Sequence, residues 1–220
     1  MNYISIAIDG PAGAGKSTIA KNVANVLGIN YVDTGSMYRT IAYYCLQNNI
    51  AFDDQEKVIA SLNQINIQVK YIKGEQRMFL CDEDVTDRIR SQEVGNGASA
   101  VGVYKEVRTK LVALQQDIAK SNSVVMDGRD IGTFVIPKAD LKIYLTASVK
   151  KRAERRYAEL IAKGLQANLQ QIEREIEERD YRDMNREYAP LVKAEDAVEL
   201  DTTFLDIDDV TNKVIDLYRR

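Results

Sequence analysis

The chain has 220 residues, 45% of them hydrophobic and 29% charged, which is enough for one domain with a complete hydrophobic core. Its net charge of −3 argues against a nucleic-acid polymer as the main partner, and no apolar run reaches the ~20 residues of a membrane span. The absence of histidine excludes Ser–His and Cys–His catalysis and every His-ligated metal site.

The first predicted elements alternate between strand and helix. A short apolar run predicts a buried strand over 4–8, and apolar residues at helical spacing predict a helix over 17–27 that stops at Gly28. A second strand at 31–32 and a mostly apolar helix over 36–48 follow. Because buried strands that alternate with helices are typical of a parallel sheet covered on both faces, the expected fold class is α/β.

The pattern changes in the segment 65–90. Apolar and polar residues alternate over 65–72, INIQVKYI, which predicts a strand with one exposed face. A turn at 73–75 lets residues 77–81 return as the second strand of a hairpin. Since a half-exposed antiparallel hairpin does not fit inside a buried parallel sheet, we predict a small inserted subdomain here.

The strand–helix alternation then resumes to the end of the chain. We expect one domain over 1–220, in which two strongly charged helices make up a segment of about 149–187 that can cover the site as a lid. The remaining predicted elements are a long helix at 93–120, strands at 124–126, 141–145 and 197–200, the charged helices at 149–163 and 169–186, and a last helix at 207–218.

Two further features suggest where the protein works. No charged region precedes the first strand, so we expect no signal peptide and a cytoplasmic location. Cys45 and Cys81 stand alone in the sequence, and we expect them to be structural thiols in a reducing compartment.

A glycine-rich turn, GPAGAGKS, separates the first strand from the first helix. It matches G-x-x-x-x-G-K-[ST] at every fixed position, in the strand–loop–helix context that this motif requires. Glycines let backbone N–H groups face a phosphate, and the helix directs its positive end to the same point. We predict a nucleotide site with Lys16 on the terminal phosphates and Ser17 on Mg²⁺, formed by Gly10, Pro11, Ala12, Gly13, Ala14, Gly15, Lys16, Ser17 and Thr18.

This phosphate loop does not by itself define the reaction. A GTPase would also carry N-K-x-D to bind guanine, but the nearest string, at 212–216, is one residue too long and lies in the last predicted helix. The sequence therefore gives no support for a guanine site.

Two clusters suggest a phosphoryl acceptor. VDTGSMYR places Asp33, Thr34 and Arg39 after the second strand, and MDGRD places Arg129 and Asp130 after another. Because ligands of parallel sheets lie at the carboxyl ends of strands, both clusters are expected to face the phosphate loop. The alternatives are an ordinary surface helix for the first cluster and a charged turn for the second.

A third cluster lies in EIEERDYRDMNR, residues 175–186. Arg179, Arg182, Asp183 and Arg186 share one helix face and could clamp phosphates, together with the basic run over 150–156. A solvated helix stabilised by i,i+4 ion pairs explains the same spacing, and for Arg182 the sequence does not indicate a particular phosphate.

The motifs IDGPAGAGKST, VDTGSMYR, DGRDIGT and ERDYRDMNR, in this order, resemble those of the bacterial cytidylate kinases over essentially the whole chain. The resemblance implies a P-loop nucleoside-monophosphate kinase fold with an enlarged acceptor-binding insert. It implies ATP as donor, CMP or dCMP as acceptor, Mg²⁺ as cofactor and, as we expect, a monomer without membrane or nucleic-acid partners.

The resemblance also implies individual roles. Lys16, Arg129, Arg155 and Arg186 would be catalytic, with Arg155 approaching the transferred phosphate from the lid. The acceptor phosphate would be held by Arg39, Arg129 and Arg186, the cytosine by Asp130, Ser99 and Arg108, and the sugar by Arg179 and Asp183; Thr34 completes the acceptor site, and Asp201-Thr202-Thr203 would lie against the ATP base.

Phosphate chemistry agrees with a monophosphate acceptor. At pH 7 such an acceptor is mostly dianionic, so it needs no general base, and many guanidinium groups are required to offset two phosphorylated substrates. A small-metabolite alcohol kinase that uses Asp33 or Asp130 as base, and a nucleotide-dependent switch without an acceptor, are the alternatives left open.

Overall fold

The computed structural model describes residues 3–220. The strands are β1 (Ser5–Asp9), β2 (Asn30–Asp33), β3 (Ile67–Ile72), β4 (Glu75–Leu80), β5 (Glu83–Asp84), β6 (Val124–Gly128), β7 (Leu141–Thr146) and β8 (Val198–Asp201). The helices are α1 (Lys16–Leu27), α2 (Thr34–Gln47), α3 (Gln55–Ser61), α4 (Gln92–Val101), α5 (Lys105–Ser121), α6 (Val149–Ala162), α7 (Leu169–Asn185) and α8 (Ile207–Arg219). Short 3₁₀ turns cover Leu62–Gln64 and Arg88–Arg90, and one π-helical turn covers Ile131–Val135.

Five strands form a parallel sheet in the order β2-β6-β1-β7-β8. Successive residues of β1 point to opposite faces, so Ile6 and Ile8 pack with α1 and α8 while Ala7 packs with α2 and α5. Both faces are thus buried, as the continuous apolar runs of these strands require. The predicted α/β parallel sheet is confirmed.

A second, antiparallel sheet has the order β3-β4-β5. The predicted hairpin is present, with Ile67 opposite Leu80, and the two-residue strand β5 adds a third strand that the sequence pattern does not predict. Gln76 of β4 joins this sheet to the main domain: its Oε1 accepts from the Asp33 N–H at 2.7 Å, and its Nε2 donates to the Asp33 carbonyl at 3.2 Å.

The prediction of one helix over 93–120 is wrong. The chain forms α4 and α5 instead, with a break at 102–104 where Gly102 weakens the helix. The break has a structural use, because the freed Gly102 carbonyl accepts a hydrogen bond from Arg108 Nη1 at 3.2 Å. The short helix α3 is not predicted by the sequence pattern, since seven residues are too few for a clear helical period.

Asp9 connects the end of β1 to the turn that follows β6. Its two carboxylate oxygens accept hydrogen bonds from the backbone N–H groups of Ile131, at 2.8 Å, and Gly132, at 2.7 Å. Burial raises the pKa of Asp9 to about 6, because the charged form loses its hydration. This carboxylate therefore fixes the segment that carries Arg129 and Asp130 next to the phosphate loop.

The raised pKa of Asp9 predicts a stability that depends on pH. An unfolded Asp has a pKa near 3.9, so between about pH 4 and 6 the folded state binds more protons and stability falls as pH rises. Relative to Asp9→Asn, wild type should lose up to about 1.4 kcal/mol of unfolding free energy per pH unit in this window. Urea unfolding at several pH values measures the difference; an equal pH slope in both proteins would contradict it, and exposed Asp117→Asn is the control.

Candidate active site

The phosphate loop is the turn between β1 and α1, and its shape depends on glycine. Gly10 has φ +148°, and a Cβ there would lie 1.9 Å from the Leu145 carbonyl oxygen of β7. Gly13 and Gly15 have φ of +75° and +90°, in the left-handed region that other residues rarely adopt. The loop can therefore pass close to β7 in a backbone conformation that glycine adopts without strain.

Lys16 begins α1 at the floor of the cleft. Its side chain is buried, and Nζ donates to the Pro11 carbonyl at 2.7 Å across the loop. Burial, followed by the repulsion of Arg129, lowers the pKa of Lys16 well below its usual range. The charge of a bound anion would offset both effects, so this position is suited to phosphate.

Ser17 and Asp127 bring two hard oxygen ligands together. Ser17 Oγ donates to Asp127 Oδ2 at 2.8 Å, and Tyr31 OH donates to the other carboxylate oxygen at 2.8 Å. Burial, and then the nearby Asp33, raise the pKa of Asp127 to about 6. Asp127 is not among the residues predicted from the sequence. The signal that could have identified it is an acidic residue at the end of a buried strand that lies beside the phosphate loop.

One cleft of about 490 Å³ joins the phosphate loop to the acceptor side. Its wall includes all nine residues that the resemblance assigns to the acceptor, namely Thr34, Arg39, Ser99, Arg108, Arg129, Asp130, Arg179, Asp183 and Arg186. Ala12, Gly13, Lys16 and Ser17 line its donor end, whereas Gly10, Pro11, Ala14, Gly15, Thr18 and Arg155 do not line it. Tyr38 and Arg90 also line the cleft and are not among the predicted residues.

Asp130 lies between two guanidinium groups in the buried end of the cleft. Its Oδ2 forms an ion pair with Arg108 Nη2, and its Oδ1 lies 3.5 Å from Arg186 Nη2. Among the described residues, Arg108 Nε and Arg186 Nη2 are buried without a hydrogen-bond partner. Buried donors of this kind are costly, so they indicate a place where a ligand supplies acceptors.

The arginines of α7 and of the β6 turn meet in the middle of the cleft. Arg129 Nε donates to Asp183 Oδ2 at 2.7 Å, and Arg179 Nε is buried without a partner among residues 3–220. Burial and the neighbouring Arg129 lower the pKa of Arg179 to about 10, and burial also lowers the pKa of Arg39. These cations repel one another, which makes the centre of the cleft a strong anion site.

Arg155 lies on the other side of the phosphate loop. Its guanidinium donates to the Thr202 hydroxyl at 3.1 Å and to the Thr202 carbonyl at 2.6 Å. Thr202 in turn contacts the Ala14 carbonyl at 3.4 Å. Arg155 therefore contacts the segment expected to face the ATP base, and a role at the transferred phosphate would require its side chain to turn.

Arg182 lies on the exposed side of α7, outside the wall of the cleft. Its Nη1 donates to Ser99 Oγ on α4 at 3.0 Å. Because the guanidinium uses a lone pair of this oxygen, the Ser99 proton is free to donate into the cleft. The structure thus places Arg182 behind a predicted acceptor-binding residue instead of on a phosphate.

A family model described as cytidylate kinase matches residues 6–220. The chain belongs to the cytidylate kinase family. It is 52% identical over 217 residues to the cytidylate kinase of Leuconostoc mesenteroides, with 99% of this chain and 97% of the relative covered. It is 51% identical over 218 residues to the cytidylate kinase of Caldicellulosiruptor bescii, with 99% and 96% covered. The family that the four motifs indicated in the sequence is confirmed.

Solved structures support the fold of this cytidylate kinase family member. A gluconokinase from Sinorhizobium meliloti superposes with a TM-score of 0.52 at 13% identity, covering 99% of this chain and 92% of that one. An uncharacterized protein from Eubacterium ventriosum gives 0.53 at 12% identity, covering 99% of both chains. At this identity the likeness concerns the fold alone.

The Arg182–Ser99 contact predicts a specific kinetic effect. Arg182→Ala should raise KM for CMP by roughly 2- to 5-fold, about the effect of one partly exposed hydrogen bond, and leave KM for ATP unchanged. Steady-state kinetics with each substrate varied in turn tests this. Ser99→Ala is the comparison: since the two residues act together, the double variant should be no worse than Ser99→Ala. If Arg182→Ala changes neither kcat nor KM, the side chain is only part of a solvated helix.

Proposed function

We propose that this protein transfers the γ-phosphoryl group of ATP to CMP or dCMP, giving ADP and CDP or dCDP. The observation that carries the proposal is that part of the phosphate loop and the nine residues expected to bind the acceptor line one and the same cleft. The full-length match to the cytidylate kinase family supports the choice of substrates.

Transfer in this cleft would depend on position and charge. Lys16 at the donor end and Arg39, Arg129 and Arg186 at the acceptor end supply cations on both sides of the migrating phosphoryl group. A monophosphate acceptor is already mostly dianionic at pH 7, so no proton has to be removed before attack. The chain contains no histidine, which this chemistry does not need.

The buried end of the cleft is suited to cytosine. Asp130 can accept a hydrogen bond from the exocyclic amine of the base, whereas uracil presents a carbonyl oxygen at the same place. Arg108 and Arg186 flank the carboxylate, so its charged form has partners on both sides. Repulsion between two acceptors would then disfavour UMP.

The residues near the phosphate loop fit Mg²⁺. Ser17 and Asp127 offer hard oxygen ligands, and Mg²⁺ usually takes only one or two protein ligands beside substrate phosphates and water. Residues 3–220 contain no cluster of three or more Asp, Glu, Cys or His side chains placed to hold a metal ion. When bound, Mg²⁺ would offset the charge of the donor phosphates.

Location and partners follow as part of the same proposal. A kinase that draws on ATP and free nucleotides is expected to act in the cytoplasm as a monomer, without a nucleic-acid polymer as partner. Within residues 3–220, none of the helices combines the length and apolar character that crossing a membrane requires.

The proposal is tested by measuring ADP release with ATP and each nucleoside monophosphate in turn. Release should depend on CMP or dCMP and should be much slower with UMP, AMP or GMP. Release that occurs equally without any acceptor would overturn the proposal in favour of a nucleotide switch. Stimulation by a sugar or another alcohol in place of CMP would instead support an alcohol kinase.

The substitution Asp130→Asn tests base recognition. The new amide could present either its oxygen or its NH₂ group to the base. The value of kcat/KM for CMP divided by that for UMP should therefore fall by roughly 10-fold or more. The measurement is kcat/KM for both nucleotides in both proteins. An equal loss on CMP and UMP would remove Asp130 from base recognition, and a loss confined to KM for ATP would place it on the donor.

The substitution Asp127→Asn tests the metal site. It should raise the Mg²⁺ concentration for half-maximal activity by roughly 10-fold, because one charged ligand becomes neutral. Titration of activity with Mg²⁺ at fixed ATP measures this shift, and EDTA should abolish activity in both proteins. Exposed Asp53→Asn serves as the matched control. An unchanged Mg²⁺ dependence would exclude Asp127 as a ligand.

A further inference from the structure

One residue of the phosphate loop, Ala12, is held through both its N–H and its carbonyl by the charged helices α6 and α7. The Ala12 N–H donates to Asp180 Oδ1 at 3.2 Å, and the Ala12 carbonyl accepts from Arg152 Nη1 at 2.8 Å. The same Nη1 lies 2.6 Å from Asp180 Oδ2, which closes a ring of three residues. We call Arg152, Asp180 and the Ala12 backbone the loop clamp.

The loop clamp is buried and held tightly. Arg152 is only 4% exposed and Asp180 only 7%, and Arg152 Nε donates to the Ala147 carbonyl at 2.9 Å. α6 also packs directly on the loop, since a Cβ at Gly13 would lie 3.2 Å from Arg152 Cβ. A buried ion pair that is hydrogen-bonded to backbone has one defined geometry, and removal of one partner leaves an uncompensated charge.

Neither Arg152 nor Asp180 lines the cleft, but both adjoin residues that contact it or flank it. On α7, Asp180 lies between Arg179 and Asp183 in the sequence, and these two side chains face the cleft. On α6, Arg155 follows Arg152 by less than one turn. The loop clamp therefore connects the donor loop to the helices that carry the proposed phosphate- and sugar-binding groups.

We propose that Arg152 and Asp180 are positioning residues, which fix the distance between Lys16 and the α7 side chains during phosphoryl transfer. This inference rests on the proposed function, since it assumes that the donor and acceptor phosphates meet in the cleft. Transfer that depends on position is sensitive to small shifts, and a displacement of about 1 Å can reduce a rate by ~100-fold. The effect of Arg152 and Asp180 is expected in kcat because neither of these two side chains lines the cleft.

The test compares four variants with wild type. Asp180→Asn keeps an oxygen that can accept from the Ala12 N–H but loses the charge, Asp180→Ala loses both, and Arg152→Lys keeps the charge but not the fork of donors. The double variant Arg152→Lys with Asp180→Asn completes a mutant cycle. Glu154→Gln is the control, because its ion pair with Lys151 lies on the exposed side of the same helix, at 3.3 Å.

Each clamp variant should lower kcat by roughly 10- to 100-fold, while KM for CMP changes by less than about 3-fold. Asp180→Asn should retain more activity than Asp180→Ala, and the double variant should be little worse than either single one, because the two residues act as a unit. Glu154→Gln should behave like wild type. The kinetic comparison is made at a temperature at which every variant is folded and binds nucleotide. Urea unfolding measures the first property, and binding of an imido-bridged ATP analogue measures the second.

Wild-type kcat in the folded Asp180 and Arg152 variants would overturn the loop clamp and leave the proposed function intact. Losses that multiply in the double variant would also overturn it, since the residues would then act independently. A wild-type enzyme that ignores CMP would instead contradict the proposed function. In that case the same variants are compared in their acceptor-independent ATP hydrolysis, where unchanged rates would overturn the clamp as well.

Discussion

Positive charge gathered at one edge of the sheet is the constraint on which the rest of this structure depends. Lys16 is buried and Arg179 is half-buried, and their lowered pKa values follow from burial and from the repulsion of Arg129. The cleft keeps its shape because carboxylates are placed among the cations, as Asp183 is beside Arg129. The arrangement is stable enough to fold and still favours a ligand with several negative charges.

The order of the strands turns this concentration of charge into a site with two ends. β6 lies between β1, which leads into the phosphate loop, and β2, which leads into α2. Arg129 and Asp130 follow β6, so they extend from a middle position between the phosphate loop after β1 and helix α2 after β2. A chain that only bound a nucleotide would not need this middle position, because the loop after β1 already supplies phosphate contacts.

Much of the site could be predicted from the sequence because its signals are local. The phosphate loop is one continuous motif, and Arg39, Arg129 and Asp130 closely follow strands whose apolar runs are clear. The parts that were missed have weak local signals or none. The break at 102–104 is marked in the sequence only by Gly102, whose carbonyl binds Arg108 six positions later. Asp180 meets Ala12 across 168 positions of sequence, so no pattern within one segment reveals that contact.

The contacts of Gln76 have a consequence for how such a kinase could change its acceptor wall. This side chain is bonded to both the N–H and the carbonyl of Asp33, and its Nε2 also lies 2.9 Å from Ser36 Oγ at the start of α2. The antiparallel sheet thus supplies a side-chain amide that binds the backbone of Asp33, the N-cap of the helix that carries Arg39. An exchange of this sheet between related proteins must keep an amide at this position, or the first turn of α2 loses the bonds that hold it in place. The insert can be replaced by that of a relative only if the new β4 also carries an amide that binds the backbone of Asp33.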